Sequence, residues 1–302
     1  MRKGQNMRGL VLAALMNKIG EYVSGEDICR ALGVTRAAVW RVVNDLRVDG
    51  YRVEASPRLG YRLRVVPDCI EPLFIKQLLE TRLLGREVVF LKECDSTNQH
   101  AKLLGDHAAP HGTLVVAENQ GKGVHMSLLL RPELAVDESQ KLTMIAALAA
   151  AMCIEECTEI KPGIKWPSDI LIEDKKVCSI LTHMAAEQWK LAYAVVGVEL
   201  EVGKSTVQAS RVPLIVAFCN HFERLYEDYL QTRDFTSFMT KYRPYSVTLG
   251  RDVKVSMPGR DLEGTALYFD DDGMLVILSR EGRRERIQAG EAQVRGLMGA
   301  FW

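Results

Sequence analysis

Three short polar segments interrupt a chain that is otherwise patterned for burial, and each holds residues that could do chemistry. Asp95-Ser96-Thr97-Asn98 stands where a strand ends and a helix begins. Hydroxyls there, with the free backbone N–H groups of a first helical turn, can face an anion or the polar end of a ligand, and a plain helix cap is the other reading. Lys165-Trp166-Pro167-Ser168-Asp169 sets cation and carboxylate four apart. Lys175-Lys176-Val177-Cys178-Ser179-Ile180-Leu181 opens on a pair of cations in a hairpin turn. Cysteine chemistry is not indicated: Cys29, Cys69, Cys94, Cys153, Cys157, Cys178 and Cys219 are scattered without a Cys-x-x-Cys pair. They read as reduced core residues. Only Cys153 and Cys157 share a helix face by spacing, with no histidine beside them, so no structural metal is expected.

A fourth constellation lies at the front. Leu10, Val11, Ala14, Leu15 and Ile19 recur at helical spacing over residues 8–20. Ser24 can cap a second helix to Leu32, with acidic Asp27 answering at the third position. Gly33 supplies a tight turn, and Thr35 can cap a third helix whose Val39, Val42, Val43 and Leu46 face inward. With those turned in, Arg36, Trp40, Arg41, Asn44 and Arg47 are left for the outer side, where a recognition helix meets a major groove. Trp40 can equally pack under a wing. That wing is expected from Tyr51-Arg52-Val53-Glu54 and Tyr61-Arg62-Leu63-Arg64, joined through Pro57 and Gly60, with Arg58 and Arg62 on phosphate.

The elements that must carry these groups follow from pattern and charge. Residues 1–64 hold twelve Lys or Arg against six Asp or Glu, a local +6 in a chain whose formal net charge is zero. That asymmetry points to an anionic partner at the front. Beyond Pro67, strand-like runs at Val88 to Lys92, Thr113 to Ala117 and Ser127 to Leu130 alternate with helical patterns at Gln140 to Cys157 and Val212 to Tyr229. After Tyr242 come short alternating strands between turns, as in a small barrel. The 302 residues, 47% apolar and 26% charged, suit a globular protein of two or three domains. MRKGQNMRGL is no signal peptide and no run is long enough to span a bilayer, so a cytoplasmic location without membrane contact is expected.

Two resemblances sharpen these expectations. Ser24 to Leu32, Thr35-Arg36-Ala37-Ala38-Val39-Trp40 and Gly60-Tyr61-Arg62-Leu63 resemble the winged helix-turn-helix of biotin operon repressors. The order and spacing of the three polar motifs resemble the catalytic domain of biotin protein ligases, so the likeness covers nearly the whole chain. It implies an α+β protein: a winged helix-turn-helix over residues 1–66, a class II synthetase-like biotin ligase domain over 67–245, and an SH3-like β-barrel over 246–302. By the same resemblance Ser96 and Thr97 contact the ureido ring of biotin, Asn98 holds the turn, and Gln120 faces biotin. Lys122, Lys165, Trp166 and Asp169 line the nucleotide side. Lys176 lies between the biotin carboxylate and the nucleotide phosphate, where a preorganised ammonium stabilises charge gathering on phosphoryl oxygens and is the catalytic group of an active enzyme.

The chain also departs from that pattern. Ala117-Glu118-Asn119-Gln120 is retained, but the family's long loop rich in glycine and arginine is reduced to Gly121-Lys122-Gly123-Val124-His125-Met126. The family's Gly-x-Gly-Ile-Asn reads Gly197-Val198-Glu199-Leu200-Glu201, Ser179 replaces a glycine, and Ser168 an asparagine. Losing one well-placed donor typically costs about 100- to 1,000-fold in rate. The expectation is a homodimeric repressor on operator DNA whose body binds biotin or biotinyl-5'-AMP, with ligase activity weak or lost and no metal ligands of its own. The alternative is an active bifunctional biotin–[acetyl-CoA-carboxylase] ligase and repressor, using ATP and Mg²⁺ and acting on biotin carboxyl carrier protein. A scaffold that binds carrier proteins without chemistry is the third reading.

Overall fold

The computed structural model describes residues 2–119, 123–187, 190–203, 206–257, 260–288 and 293–296. The chain forms two compact units, residues 1–74 and 75–302.

The first unit opens with α1 (Arg2–Met16), β1 (Tyr22–Val23), α2 (Gly25–Leu32) and α3 (Arg36–Val48), followed by β2 (Arg52–Ser56) and β3 (Gly60–Val65). Ser24 and Thr35 both cap their helices. Ser24 Oγ accepts the N–H groups of Glu26 and Asp27, and Thr35 Oγ1 accepts that of Ala38 at 3.2 Å. Gly33 ends α2 at φ 64°, a backbone region that suits glycine. Val39, Val42, Val43 and Leu46 are all buried, as their spacing predicts. The inward face of α1 is rotated from the expected one: Val11, Leu12 and Leu15 are buried, whereas Leu10 and Ile19 are exposed. The helix stops at Met16 and the chain turns at Gly20, whose N–H donates to Leu63 O at 3.0 Å, so Ile19 falls in the turn. The wing is three-stranded, β1-β3-β2, because Tyr22 and Val23 pair with Arg62 and Tyr61. Two residues are too few to show alternation.

The second unit is built on α4 (Pro72–Leu78), which begins in the first, then β4 (Val88–Leu91), α5 (Thr97–Asp106), β5 (Thr113–Ala117), β6 (Val124–Leu130) and α6 (Ser139–Thr158). Four strands follow, β7 (Gly163–Lys165), β8 (Asp169–Ile172), β9 (Lys175–Glu187) and β10 (Lys190–Leu200), then α7 (Arg211–Thr232) and α8 (Phe235–Tyr242). The sheet runs β4-β5-β6-β10-β9-β8-β7, with only β4 and β5 parallel. Its near-continuous apolar strands β5 and β6 are buried on both faces. One face packs on α6, where Thr143 Oγ1 meets Thr182 Oγ1 at 2.9 Å. The other takes α5, through a core of Ala101, Val115, Leu129, Tyr193 and Val195.

A β domain closes the chain: β11 (Asp252–Met257), β12 (Arg260–Phe269), β13 (Leu275–Ser279), β14 (Arg284–Ile287) and β15 (Gln293–Gly296), ordered β14-β13-β12-β11-β15. It is fixed to the β7 end of the large sheet, where Val247 N–H donates to Ile164 O at 3.0 Å. The class is therefore α+β. Among the described residues no helix is long and apolar enough to cross a membrane.

Candidate functional site

The ligand face is set by how α5 meets the sheet. Ser96 caps α5, accepting the N–H of Gln99. Thr97 and Asn98 then turn inward and are buried. Ser127 Oγ on β6 hydrogen-bonds to both Thr97 Oγ1 and Asn98 Oδ1, each at 2.7 Å, and Asn98 Nδ2 donates to Leu181 O at 3.4 Å. Asn98 lies directly over Gly197, where a Cβ would come within 2.2 Å of both amide atoms. Ser127, Gly197 and Leu181 are cross-strand partners. Asn98 thus pins α5 across three strands. Thr97, expected on the ureido ring, shares its hydroxyl with Ser127; Ser96, half-buried, remains at the surface of the site.

Two residues further along these strands, side chains return to the same face. His125 pairs with Glu199, Glu199 with Ser179, Ser179 with Asp169, and Asp169 with Lys165. One row of polar side chains therefore crosses five strands. Asp169 pairs with two lysines, Lys176 Nζ at 2.6 Å and Lys165 Nζ at 3.8 Å. Beside it lies a cavity of about 340 Å³ lined by His125, Lys176, Cys178, Ser179, Glu199 and Glu201. The carboxylates of Glu199 and Glu201 are exposed there, with no hydrogen-bond or ion-pair partner among the described residues. Burial pushes the thiol of Cys178 beneath the cavity well up, Asp169 and Glu199 adding to the rise and Lys176 opposing it, so it stays a neutral wall.

Trp166 departs from its expected role. It is 1% exposed, its indole N–H donates to Gly273 O at 3.1 Å, and its backbone N–H donates to Thr248 Oγ1 at 2.9 Å. The ring joins the large sheet to the β domain and lines no ligand space. Glu118 turns the other way, into an ion pair with the buried Arg211 at 2.7 Å, while Asn119 Oδ1 accepts the N–H of Cys94 at 3.1 Å. Gln120 and Lys122 lie outside the described residues. His125 and Ser127 were not singled out from sequence. The signal was available, since they are the two polar residues at alternate positions of an apolar strand.

In the first unit, Arg36, Trp40 and Arg41 are exposed on the outer side of α3 and Asn44 is half-buried beside them. Trp40 is 59% exposed, so it does not pack under the wing. Arg36 meets Glu26 at 2.7 Å. Arg47 is held within the unit, its Nε donating to Val53 O at 2.9 Å and its NH1 group to Asn44 Oδ1 at 3.1 Å. Arg62, expected on phosphate, instead binds Glu54 through Nε at 2.8 Å and lies 4.4 Å from the ring centre of Tyr22. That hydrogen bond, with a second from Arg64, holds the Glu54 carboxyl below its usual range. Arg58 stays exposed and, with Arg36, Ser24, Glu26 and Tyr61, lines a cleft of about 410 Å³ between α3 and the wing.

Comparison with known proteins matches three family models along the chain: an HTH domain at residues 10–62, the Biotin/lipoate A/B protein ligase family at 91–201, and the Biotin protein ligase C terminal domain at 248–295. The chain is 34% identical to the bifunctional ligase/repressor BirA of Bacillus subtilis (strain 168), over 90% of this chain and 94% of that protein. The chain belongs to the bifunctional biotin ligase/repressor family. Its namesake from Escherichia coli (strain K12) is 24% identical over 94% of this chain and 96% of its own length. Among solved structures, the biotin protein ligase from Aquifex aeolicus superposes with a TM-score of 0.61 at 23% identity, covering 70% of this chain and 99% of its own. The family's fold is thus shared by the second unit. Among the described residues, no group of three or more His, Cys, Asp and Glu is placed to hold a metal ion.

Proposed function

We propose that this chain is a DNA-binding transcriptional regulator of the biotin-repressor type, whose ligase-like body binds biotin or a close relative and forms the adenylate weakly or not at all. The observation that carries the reading is Glu199: an exposed carboxylate with no side-chain partner among the described residues, in the cavity beside Lys176. A polyphosphate entering there meets Glu199 and Glu201, and the ammonium that lines the cavity among the described residues, Lys176, is paired with Asp169. Repulsion in a cleft is poorly screened. Biotin itself brings a single carboxylate toward Lys176 and an uncharged ureido ring toward Ser96, so it meets less repulsion on the same face than a polyphosphate does. In this reading Arg36, Trp40, Arg41 and Asn44 face bases, Arg58 meets phosphate, Arg47 positions Asn44, and a homodimer aligns two such helices on a palindromic operator in the cytoplasm.

A second reading is favoured by the array Lys165, Asp169 and Lys176, whose cations are the ones an adenylating site needs. In an active bifunctional ligase the nucleotide supplies the activating phosphoryl group, Lys176 steadies its charge, and Glu199 or Glu201 would hold Mg²⁺. Biotin would then pass to biotin carboxyl carrier protein. Calorimetric titration with biotin, then with biotin, ATP and Mg²⁺, with the adenylate followed by mass, separates the two. Biotin binding without adenylate supports the regulator, and stoichiometric biotinyl-5'-AMP supports the enzyme. DNA binding is tested alongside by the salt dependence of duplex affinity, which falls steeply if phosphates are contacted.

A further inference from the structure

We propose that Trp40 reads the 5-methyl group of a thymine in the major groove. The inference rests on the DNA-binding reading of the first unit and adds the chemistry of one base contact. Trp40 presents a large apolar ring, 59% exposed, on the outer side of α3, and nothing in its own unit covers it. One turn before it Arg36 is held by Glu26 at 2.7 Å. One turn after it Asn44 accepts from Arg47, itself fastened to the wing at Val53 O. The ring therefore stands between two polar groups that are already oriented.

Those neighbours limit what else can discriminate bases. Asn44 Oδ1 spends one of its two lone pairs on Arg47, while the amide NH₂ is left as a donor. Purine N7, guanine O6 and thymine O4 all accept such a donor, so Asn44 by itself separates bases poorly. Along the major-groove edge the one apolar group is the thymine methyl. An indole face brought into the groove among hydrogen-bonding atoms gains from water only where it covers that methyl. The local +6 of residues 1–64 supplies the attraction that brings the face to the duplex.

The test uses the full chain and duplexes enriched by selection from a random pool, with each thymine replaced in turn by uracil. That swap removes the methyl and leaves the hydrogen-bonding edge unchanged. The expected result is a loss of about three- to tenfold in affinity at one thymine per half-site, the scale of one buried methyl. Trp40→Phe keeps the response. Trp40→Ala, folded by circular dichroism and retaining the salt slope, binds the thymine and uracil duplexes equally. If no uracil substitution weakens the wild type, or if Trp40→Ala weakens both duplexes and keeps the wild-type ratio between them, the inference is overturned. It is also overturned if Trp40→Ala only reduces self-association, which would make the ring a contact with a second copy. If no duplex is enriched at all, the DNA-binding reading fails, and this one with it.

Discussion

Trp166 donates its indole N–H to the carbonyl of Gly273, 3.1 Å away, and receives no solvent on either face. The residue sits in a motif expected to line a nucleotide, yet it holds two parts of the fold together. Its backbone N–H is satisfied by Thr248 Oγ1, fully buried, and Tyr242 donates its hydroxyl to Pro167 O at 3.0 Å on the same join.

Thr248→Val should therefore destabilise the chain by ~1–3 kcal/mol, because it leaves a buried N–H without its acceptor while keeping the volume. Trp166→Phe should cost a similar amount through the lost indole donor and a smaller ring. Urea unfolding checks both, and hydrogen exchange should rise first around residues 163–166 and 246–248. An unchanged midpoint in both variants would mean that the join contributes nothing.

Gly197 tests the ligand face. A methyl group there would sit 2.1 Å from Asn98 Oδ1 and must displace the amide that holds α5 to Ser127 and Leu181. Gly197→Ala should cost ~1–3 kcal/mol from overpacking. It should also abolish biotin binding seen by calorimetry, since Ser96 begins the same helix. Retained affinity with reduced stability would separate the helix anchor from the ligand site.

His111 gives the pH dependence a direction. Its Nδ1 accepts the N–H of Arg131 at 2.8 Å, and its ring stacks on Tyr226. Burial pushes the imidazole below its ordinary value of 6.5, Glu223 opposing and Arg131 adding to the shift. The folded chain then binds this proton less tightly than the unfolded chain. The stabilising contribution is full above the unfolded value and is lost as pH falls through it toward the lower folded value. Melting temperature should drop between pH 7.5 and pH 5, and His111→Asn, which keeps an acceptor, should flatten that slope. An identical slope in the variant would place the proton uptake elsewhere.

Much of this architecture was legible because it is written in local chemistry. Ser24 and Thr35 each have one job at a helix start, and the periodicity of Val39 to Leu46 admits one inward face. The strand Thr113 to Ala117 has the composition of a strand buried on both sides. What was not legible depends on partners distant in sequence. Trp166 meets the β domain more than a hundred residues later, so no spacing within the motif reveals which way the ring turns. The bond between Thr97 and Ser127 joins residues on separate elements, and no local pattern announces it. Arg62 and Arg47 look like free cations until Glu54 and Val53 arrive beside them. The row from His125 to Lys165 exists only through strand register, which five separate segments of sequence do not specify singly.

The same row supplies the sharpest prediction about activity. If Glu199 acts by repelling phosphate, Glu199→Gln removes the charge and keeps the size. ATP-dependent adenylate should then rise by roughly tenfold or more, with the gap between variant and wild type narrowing as salt is raised. Biotin affinity in the absence of ATP should change less, because biotin carries one carboxylate where the nucleotide carries several phosphate charges. The opposite sign is equally informative. If Glu199 holds Mg²⁺ in a working site, the same substitution lowers adenylate formation and raises the Mg²⁺ concentration needed to support it, and the chain is then an enzyme whose short loop is sufficient. Mass detection of biotinyl-5'-AMP across a Mg²⁺ series, for both proteins at two salt concentrations, distinguishes these outcomes without reference to any carrier protein.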